Sequence, residues 1–135
     1  MRKSPIVLLI CITFMLNSCM SDGEVNLSDP LISGRGFIES ALKADYVKAD
    51  QYLLQDSTNE QYLKGLIEFN KNSTKAEREN YRDASIIIDS LVQVSDSINI
   101  LYYKNSYKKE PSRLKLIKSE NVWLVDFKYS FNDEE

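Results

Sequence analysis

The chain has 135 residues, which suits one compact domain, and a formal net charge of −3 at pH 7. An acidic chain has no electrostatic reason to bind phosphates, so nucleic acid is not an expected partner. The sequence contains no histidine, which excludes histidine acid–base catalysis, Ser-His-Asp triads and histidine-ligated zinc and leaves carboxylates and tyrosines as candidate reactive groups.

The N-terminus has the pattern of a secretory signal. Arg2 and Lys3 precede the apolar run 6–16, which is shorter than the roughly 20 residues that a membrane-spanning helix needs. The segment 16–19, Leu-Asn-Ser-Cys, resembles the lipobox of bacterial lipoproteins. That resemblance implies that residues 1–18 are removed and that Cys19 then carries a diacylglycerol, and usually a third acyl chain on its amine. Two or more acyl chains anchor a protein stably to a membrane.

Two alternatives for the cysteines stay open: an ordinary signal peptide with Cys19 as a chance thiol, or a disulfide between Cys11 and Cys19. In Gram-negative lipoprotein sorting, an aspartate after the lipidated cysteine favours the inner membrane. Here that position is Met20. We therefore expect an outer-membrane protein, exposed to the periplasm or the cell surface. The segment 21–24 resembles Ser-plus-acid export signals, but it also fits a plain solvated tether, which we assign to 19–33.

Three or four short helices are expected next. Pro30 sits where a first helical turn tolerates proline, and the spacing of apolar residues predicts a helix that follows it. Asp45 is expected to cap a second short helix, whose apolar side includes Val47. A third helix is predicted to begin at Thr58 with Gln61 as its capping partner, and Thr74 with Glu77 repeats that pattern before a fourth.

From Ala84 the hydrophobic period changes to two, which predicts four strands. Short turn clusters at 95–96, 110–111 and 120–121 separate them, so we expect an antiparallel meander. The final stretch 122–131 is interpreted as one strand. On one of its faces lie Trp123, Val125, Phe127, Tyr129 and Phe131. Asp126 is expected on the opposite, solvent face. Helices followed by an antiparallel sheet predict an α+β domain.

This arrangement resembles a family. The segments 37–53 and 114–127 are similar to the opening helices and the closing hairpin of small bacterial lipoproteins of the nuclear transport factor 2-like (cystatin-like) superfamily, in a family of unknown function sometimes labelled lumazine-binding. The resemblance implies short helices packed on a curved four-stranded antiparallel sheet, as a cone that can hold a ligand. It covers 34–131, which we take as the domain, with 132–135 as an acidic tail.

Candidate site residues follow from that cone. Asp89 lies in an apolar strand, where burial would raise its pKa and suit it as a base, or it alternates outward onto the solvent face. A tyrosine such as Tyr62 or Tyr102 could donate a hydrogen bond to an oxyanion. Aromatic residues of the last strand either form core or line a ligand pocket, with Trp123 and Tyr129 expected at its mouth. The candidate pocket residues are Trp123, Tyr129, Phe127, Tyr102, Tyr62 and Asp89.

Asp-Ser segments at Asp56, Asp89 and Asp96 resemble O-glycosylation sites of exported proteins, with Ser57 the most accessible serine, although serines in turns explain them equally. The favoured function is a noncatalytic, lipid-anchored envelope module that binds a small hydrophobic or aromatic ligand or an envelope protein. The alternative is a small isomerase or dehydratase with a carboxylate base and a tyrosine. Neither hypothesis requires a metal or cofactor.

Overall fold

The computed structural model describes residues 23–132, and these form an α+β fold in which four helices precede a four-stranded antiparallel sheet. The predicted fold class is therefore confirmed. No helix within 23–132 is both long and apolar enough to cross a membrane. In chain order the elements are α1 (Pro30–Leu42), α2 (Tyr46–Tyr52), α3 (Ser57–Asn72), α4 (Lys75–Asp83), β1 (Ile86–Ser95), β2 (Ile98–Asn105), β3 (Ser112–Ser119), β4 (Val122–Asp126) and a C-terminal 3₁₀ helix (Phe127–Phe131).

Side-chain caps fix where each helix begins. Asp29 accepts hydrogen bonds from the first backbone N–H groups of α1, next to Pro30 in the first turn. Asp45 caps α2 as expected, through the N–H of Lys48. Thr74 and Glu77 form the predicted reciprocal capping box of α4.

The predicted start of α3 is wrong. Asp56, rather than Thr58, is the N-cap residue, and its carboxylate accepts from the backbone N–H of Asn59 at 2.8 Å. Asp is at least as good an N-cap as Thr, so the cap lies two residues earlier than predicted and the helix begins at Ser57.

The sheet is a meander in the order β1-β2-β3-β4, and its turns lie at the three predicted clusters. β1 is an edge strand, and Ile88 and Ser90 flank a bulge in its pairing with β2. At the opposite edge, Leu53 after α2 makes a parallel bridge to Val125 of β4. This bridge seats α2 against the β4 edge, far from β1 across the sheet.

The last strand is shorter than predicted. β4 ends at Asp126, and the chain then winds into the 3₁₀ helix. The backbone N–H of Lys128 donates to the side chain of Asn59, and the Ser130 hydroxyl donates to the Arg113 carbonyl. The Lys128 N–H is therefore not used to pair with a neighbouring strand. Asp126, expected on the solvent face, is 5% exposed. Phe127, Tyr129 and Phe131 alternate as strand residues do, yet they lie in a 3₁₀ helix, so they do not share one face as predicted.

The core lies between α1, α2 and the inner face of the sheet, around fully buried Phe37, Leu101 and Leu116. The segment before α1 also packs on this core through Val25 and Leu27. Leu27 accepts a hydrogen bond from the N–H of Trp123 at 2.8 Å. Much of the predicted 19–33 tether is therefore folded against the domain.

Candidate functional site

A cavity of about 330 Å³ opens between α1, α3, α4 and the sheet, near the C-terminal 3₁₀ helix. This volume is at the small end of ligand-binding sites. Fourteen residues line the cavity: Phe37, Ile38, Ala41, Leu42, Tyr46, Leu66, Phe69, Asn70, Tyr81, Tyr103, Asn105, Ser112, Phe127 and Phe131. None of these fourteen side chains is charged.

Two exposed aromatic rings stand at the cavity. Phe69 of α3 and Phe131 of the 3₁₀ helix are 55% and 54% exposed, which is unusual for large apolar side chains. Phe131 stacks on Tyr62 with ring centroids 4.6 Å apart, and Phe69 meets Tyr81 edge-on at 6.1 Å. Their neighbours therefore hold both rings in place at the opening.

Three tyrosines place phenolic groups on the cavity wall. Burial raises the pKa of Tyr103 to about 12, which a contact with Ser112 opposes only in part. Burial also raises the pKa of Tyr46 and of Tyr81. All three phenols are consequently neutral at physiological pH and can both donate and accept hydrogen bonds.

Polar atoms on the wall are free to bind a ligand. Tyr46, Tyr81 and Asn70 line the cavity, and within the described residues their hydroxyls and side-chain amide form no hydrogen bond to another protein group. Asn105 uses its carbonyl oxygen to accept from the backbone N–H groups of Tyr107 and Lys108, which leaves its amino group available. An apolar cavity with a few such groups is what an orienting small-molecule site requires.

Of the six predicted pocket residues, one lines this cavity and a second contacts a residue that does. Phe127 lines it, packed on Phe37 with ring centroids 5.0 Å apart. Tyr62 does not line it but holds Phe131 in place by stacking.

The other aromatic candidates lie elsewhere. Trp123, expected at a cone's mouth, is 8% exposed and packs into the core. Its carbonyl accepts from the Ser33 hydroxyl at 2.7 Å. Tyr129 lies beneath the guanidinium of Arg113, 4.6 Å from the ring centroid. Tyr102 points to solvent from β2, at 38% exposure.

Asp89 does not sit in an apolar site. It occupies the bulge of β1, is exposed, and pairs with the ammonium of Lys104 at 3.1 Å. The solvent-facing alternative is the one that the structure supports. Asp89 is therefore not available as a buried base.

Comparison of the chain with protein families, curated proteins and solved structures found no match. The support for the candidate site therefore comes from the geometry of this structure alone.

A second group of polar side chains, which sequence reasoning missed, joins α3 to the end of β4. We call Asp56, Asn59, Asp126 and Lys128 the junction cluster. Asn59 is fully buried, donates to Asp126 at 3.0 Å and accepts from the backbone N–H of Lys128 at 2.8 Å. The Lys128 ammonium donates to Asp126 at 2.6 Å and to Asp56 at 3.0 Å.

The charges of the junction cluster compensate one another. The backbone N–H of Asn59 and the Lys128 ammonium hold the pKa of Asp56 below its ordinary value. Burial alone would lower the pKa of Lys128, but its hydrogen bonds to Asp126 and Asp56 outweigh that effect and raise it. Within 23–132, no three cysteine or acidic side chains are placed to hold a metal ion. Each charged side chain of the junction cluster has a partner of opposite charge within the cluster, so we interpret the cluster as structural.

Most of the cavity wall could not be read from the sequence. Tyr81 lies in the strongly polar stretch of α4, and Phe69 and Asn70 are on the last turns of α3, where no periodic signal marks a ligand site. On β2, the predicted Tyr102 is exposed, and its neighbour Tyr103 lines the cavity instead. Cys19 lies outside the described residues. Ser57 is exposed in the first turn of α3.

Proposed function

We propose that the protein is a lipid-anchored outer-membrane protein of the cell envelope, attached through Cys19, whose α+β domain binds a small, uncharged, largely apolar ligand without transforming it. One observation carries the proposal: the cavity of about 330 Å³ is walled by aromatic rings and neutral polar groups and by no charged side chain. The order of its elements is also the one expected for the nuclear transport factor 2-like superfamily, and we propose membership on that ground.

The absence of charged side chains from the cavity wall indicates an uncharged ligand. Bringing an ion into an apolar site without a partner charge costs several kcal/mol in practice. The phenols cannot supply a counter-charge, because tyrosine is ordinarily neutral at pH 7 and burial raises the pKa of Tyr103, Tyr46 and Tyr81 further. An uncharged aromatic molecule that stacks against Phe127 and hydrogen-bonds the free hydroxyls meets these conditions.

The alternative enzyme has less support. It needs a carboxylate base beside the bound substrate, and no Asp or Glu lines the cavity. Asp89, the residue considered for that role, is paired with Lys104 on the exposed edge strand.

Two fluorescent probes with the same ring skeleton test the proposal. N-phenyl-1-naphthylamine is neutral, whereas 8-anilino-1-naphthalenesulfonate adds a sulfonate. We expect the chain lacking its lipid to bind the neutral probe saturably and with enhanced fluorescence, and to bind the sulfonate at least about tenfold more weakly because the anion loses its hydration.

A matched pair of variants ties the binding to the cavity. Asn70→Trp places a large ring in the cavity, whereas Lys71→Trp adds the same ring at the next, exposed position of α3. Neutral-probe binding should be lost in the first variant and kept in the second. Equal binding by both variants, or no saturable binding by the parent chain, would contradict the cavity as a ligand site.

A further inference from the structure

The described chain begins on one particular face of the domain. Gly23 lies beside Lys48 of α2, where a side-chain carbon on the glycine would stand 3.8 Å from the ammonium nitrogen. The following Val25 and Leu27 are packed on the core, and the Leu27 carbonyl is held by the Trp123 N–H. The point at which the chain leaves the domain is thus fixed next to α2.

Only a short piece of chain separates that point from the proposed anchor. Cys19 precedes Gly23 by four residues, which span at most about 14 Å when fully extended. A domain of this length has a radius of gyration of about 13 Å, so its far side lies more than about 30 Å away. The short span allows only the side of the domain near Gly23 to approach the lipid surface.

That side carries an unexplained apolar residue. Val47 was expected on the buried side of α2, yet it is 78% exposed. Together with Gly23, Lys48 and Gln51 it borders an open groove of about 490 Å³ at the start of the described chain. We call the exposed surface of Val47, Lys48 and Gln51 the α2 face.

We infer that the α2 face lies against the lipid surface of the membrane that holds the anchor. This inference rests on the proposed lipidation of Cys19. The short tether imposes the contact rather than charge, because the acidic Glu24 and Asp45 of the groove offset Lys48. Val47 then meets the interface instead of water, which accounts for its exposure.

Site-specific fluorescence on the lipidated mature protein, which begins at Cys19, tests this orientation. Cys11 is removed with the signal and the Cys19 sulfur is acylated, so a cysteine introduced by mutation is the single free thiol. Val47→Cys reports on the α2 face. Asp96→Cys is the matched control, exposed in the turn after edge strand β1, at the edge of the sheet opposite β4 and α2.

Each labelled protein is reconstituted into vesicles of phosphatidylethanolamine and phosphatidylglycerol that contain a lipid with a nitroxide headgroup. We expect several-fold stronger quenching at position 47 than at position 96. A flexible Gly-Ser insertion between Asp22 and Gly23 should abolish the difference, since a long linker frees the domain to tumble.

Equal quenching at the two positions, in protein whose acylation is verified by mass, would overturn the orientation and leave the anchor intact. A product whose N-terminal peptide carries no acyl mass would overturn the anchor itself, and this orientation with it. Mass spectrometry therefore separates the two failures.

Discussion

The side-chain amide of Asn59 donates to the carboxylate of Asp126 at 3.0 Å, and so ties the first turn of α3 to the end of β4 across 67 positions of sequence. The same Asn59 accepts from the backbone N–H of Lys128, so one buried side chain satisfies a strand end and the start of the 3₁₀ helix. Phe127 lies between these two contacts and lines the cavity. The junction cluster therefore holds one wall of the proposed ligand site.

Removing the Asn59 side chain should destabilise the protein strongly. Asn59→Ala leaves the Lys128 N–H without a partner and leaves the buried Asp126 carboxylate with only the Lys128 ammonium, and we expect a loss of about 2–4 kcal/mol in the free energy of unfolding. Urea denaturation measures this loss. Asn72→Ala, at the exposed end of the same helix, is the control and should change the value by less than about 0.5 kcal/mol. A similar small change in both variants would mean that the junction cluster contributes little.

Asp56 should make stability depend on pH in the acid range. Its pKa is lower in the folded protein than in the unfolded chain, so its ionised form contributes stability above about pH 4 and loses that contribution as pH falls through the folded value. Asp56→Asn keeps an oxygen that can cap α3 but removes the charge. We expect the variant to be less stable than the parent at pH 7 and the difference to shrink at about pH 3. A difference that is the same at both pH values would contradict this account.

Local signals predicted most of the fold correctly. Helix caps and turns depend on residues only a few positions apart, so a short stretch of sequence is enough to predict them. Examples are the cap residue Asp45, the capping box at Thr74 and the turn clusters between strands. These local signals therefore predicted the order of helices and strands without information on tertiary contacts.

The errors in the last strand arose where a distant residue decided the local conformation. The alternating apolar residues after Val125 continue a strand pattern, but Asn59 captures the N–H of Lys128 from 69 positions away and turns the chain. Asp126 is buried for the same reason, because its partners lie on α3 and in the 3₁₀ helix. The cavity could not be predicted from the sequence for the same reason, since its wall combines residues from seven elements.

Three glycine-to-alanine changes should have opposite effects according to the space around each glycine. At Gly34 a new side-chain carbon would lie 2.6 Å from Leu101, and at Gly36 it would collide with the ring of Tyr52. Because both neighbours are buried, each substitution should cost about 1–3 kcal/mol. At Gly65 nothing lies within 4 Å, so alanine should stabilise α3 by about 0.5–1 kcal/mol.

Thermal unfolding of the three variants, side by side, checks this contrast. The midpoints of Gly34→Ala and Gly36→Ala should fall below that of the parent, and that of Gly65→Ala should rise. A stabilising effect at Gly36 would mean that α1 and α2 can separate at little cost.

Ala44 should be improved by glycine. It follows α1 with a φ of 58°, a left-handed conformation that costs a residue with a side chain about 1 kcal/mol relative to glycine. The cost persists because Ala44 donates to the Ala41 carbonyl at 3.1 Å and Asp45 to the Ser40 carbonyl at 2.9 Å, closing the helix end. Glycine relieves the strain but adds freedom to the unfolded chain, so we expect Ala44→Gly to gain at most about 1 kcal/mol in urea denaturation. Ala41→Gly, inside α1, makes the same chemical change in a right-handed helix and should instead lose about 1 kcal/mol. Equal losses at both positions would show that the left-handed turn at Ala44 is not strained.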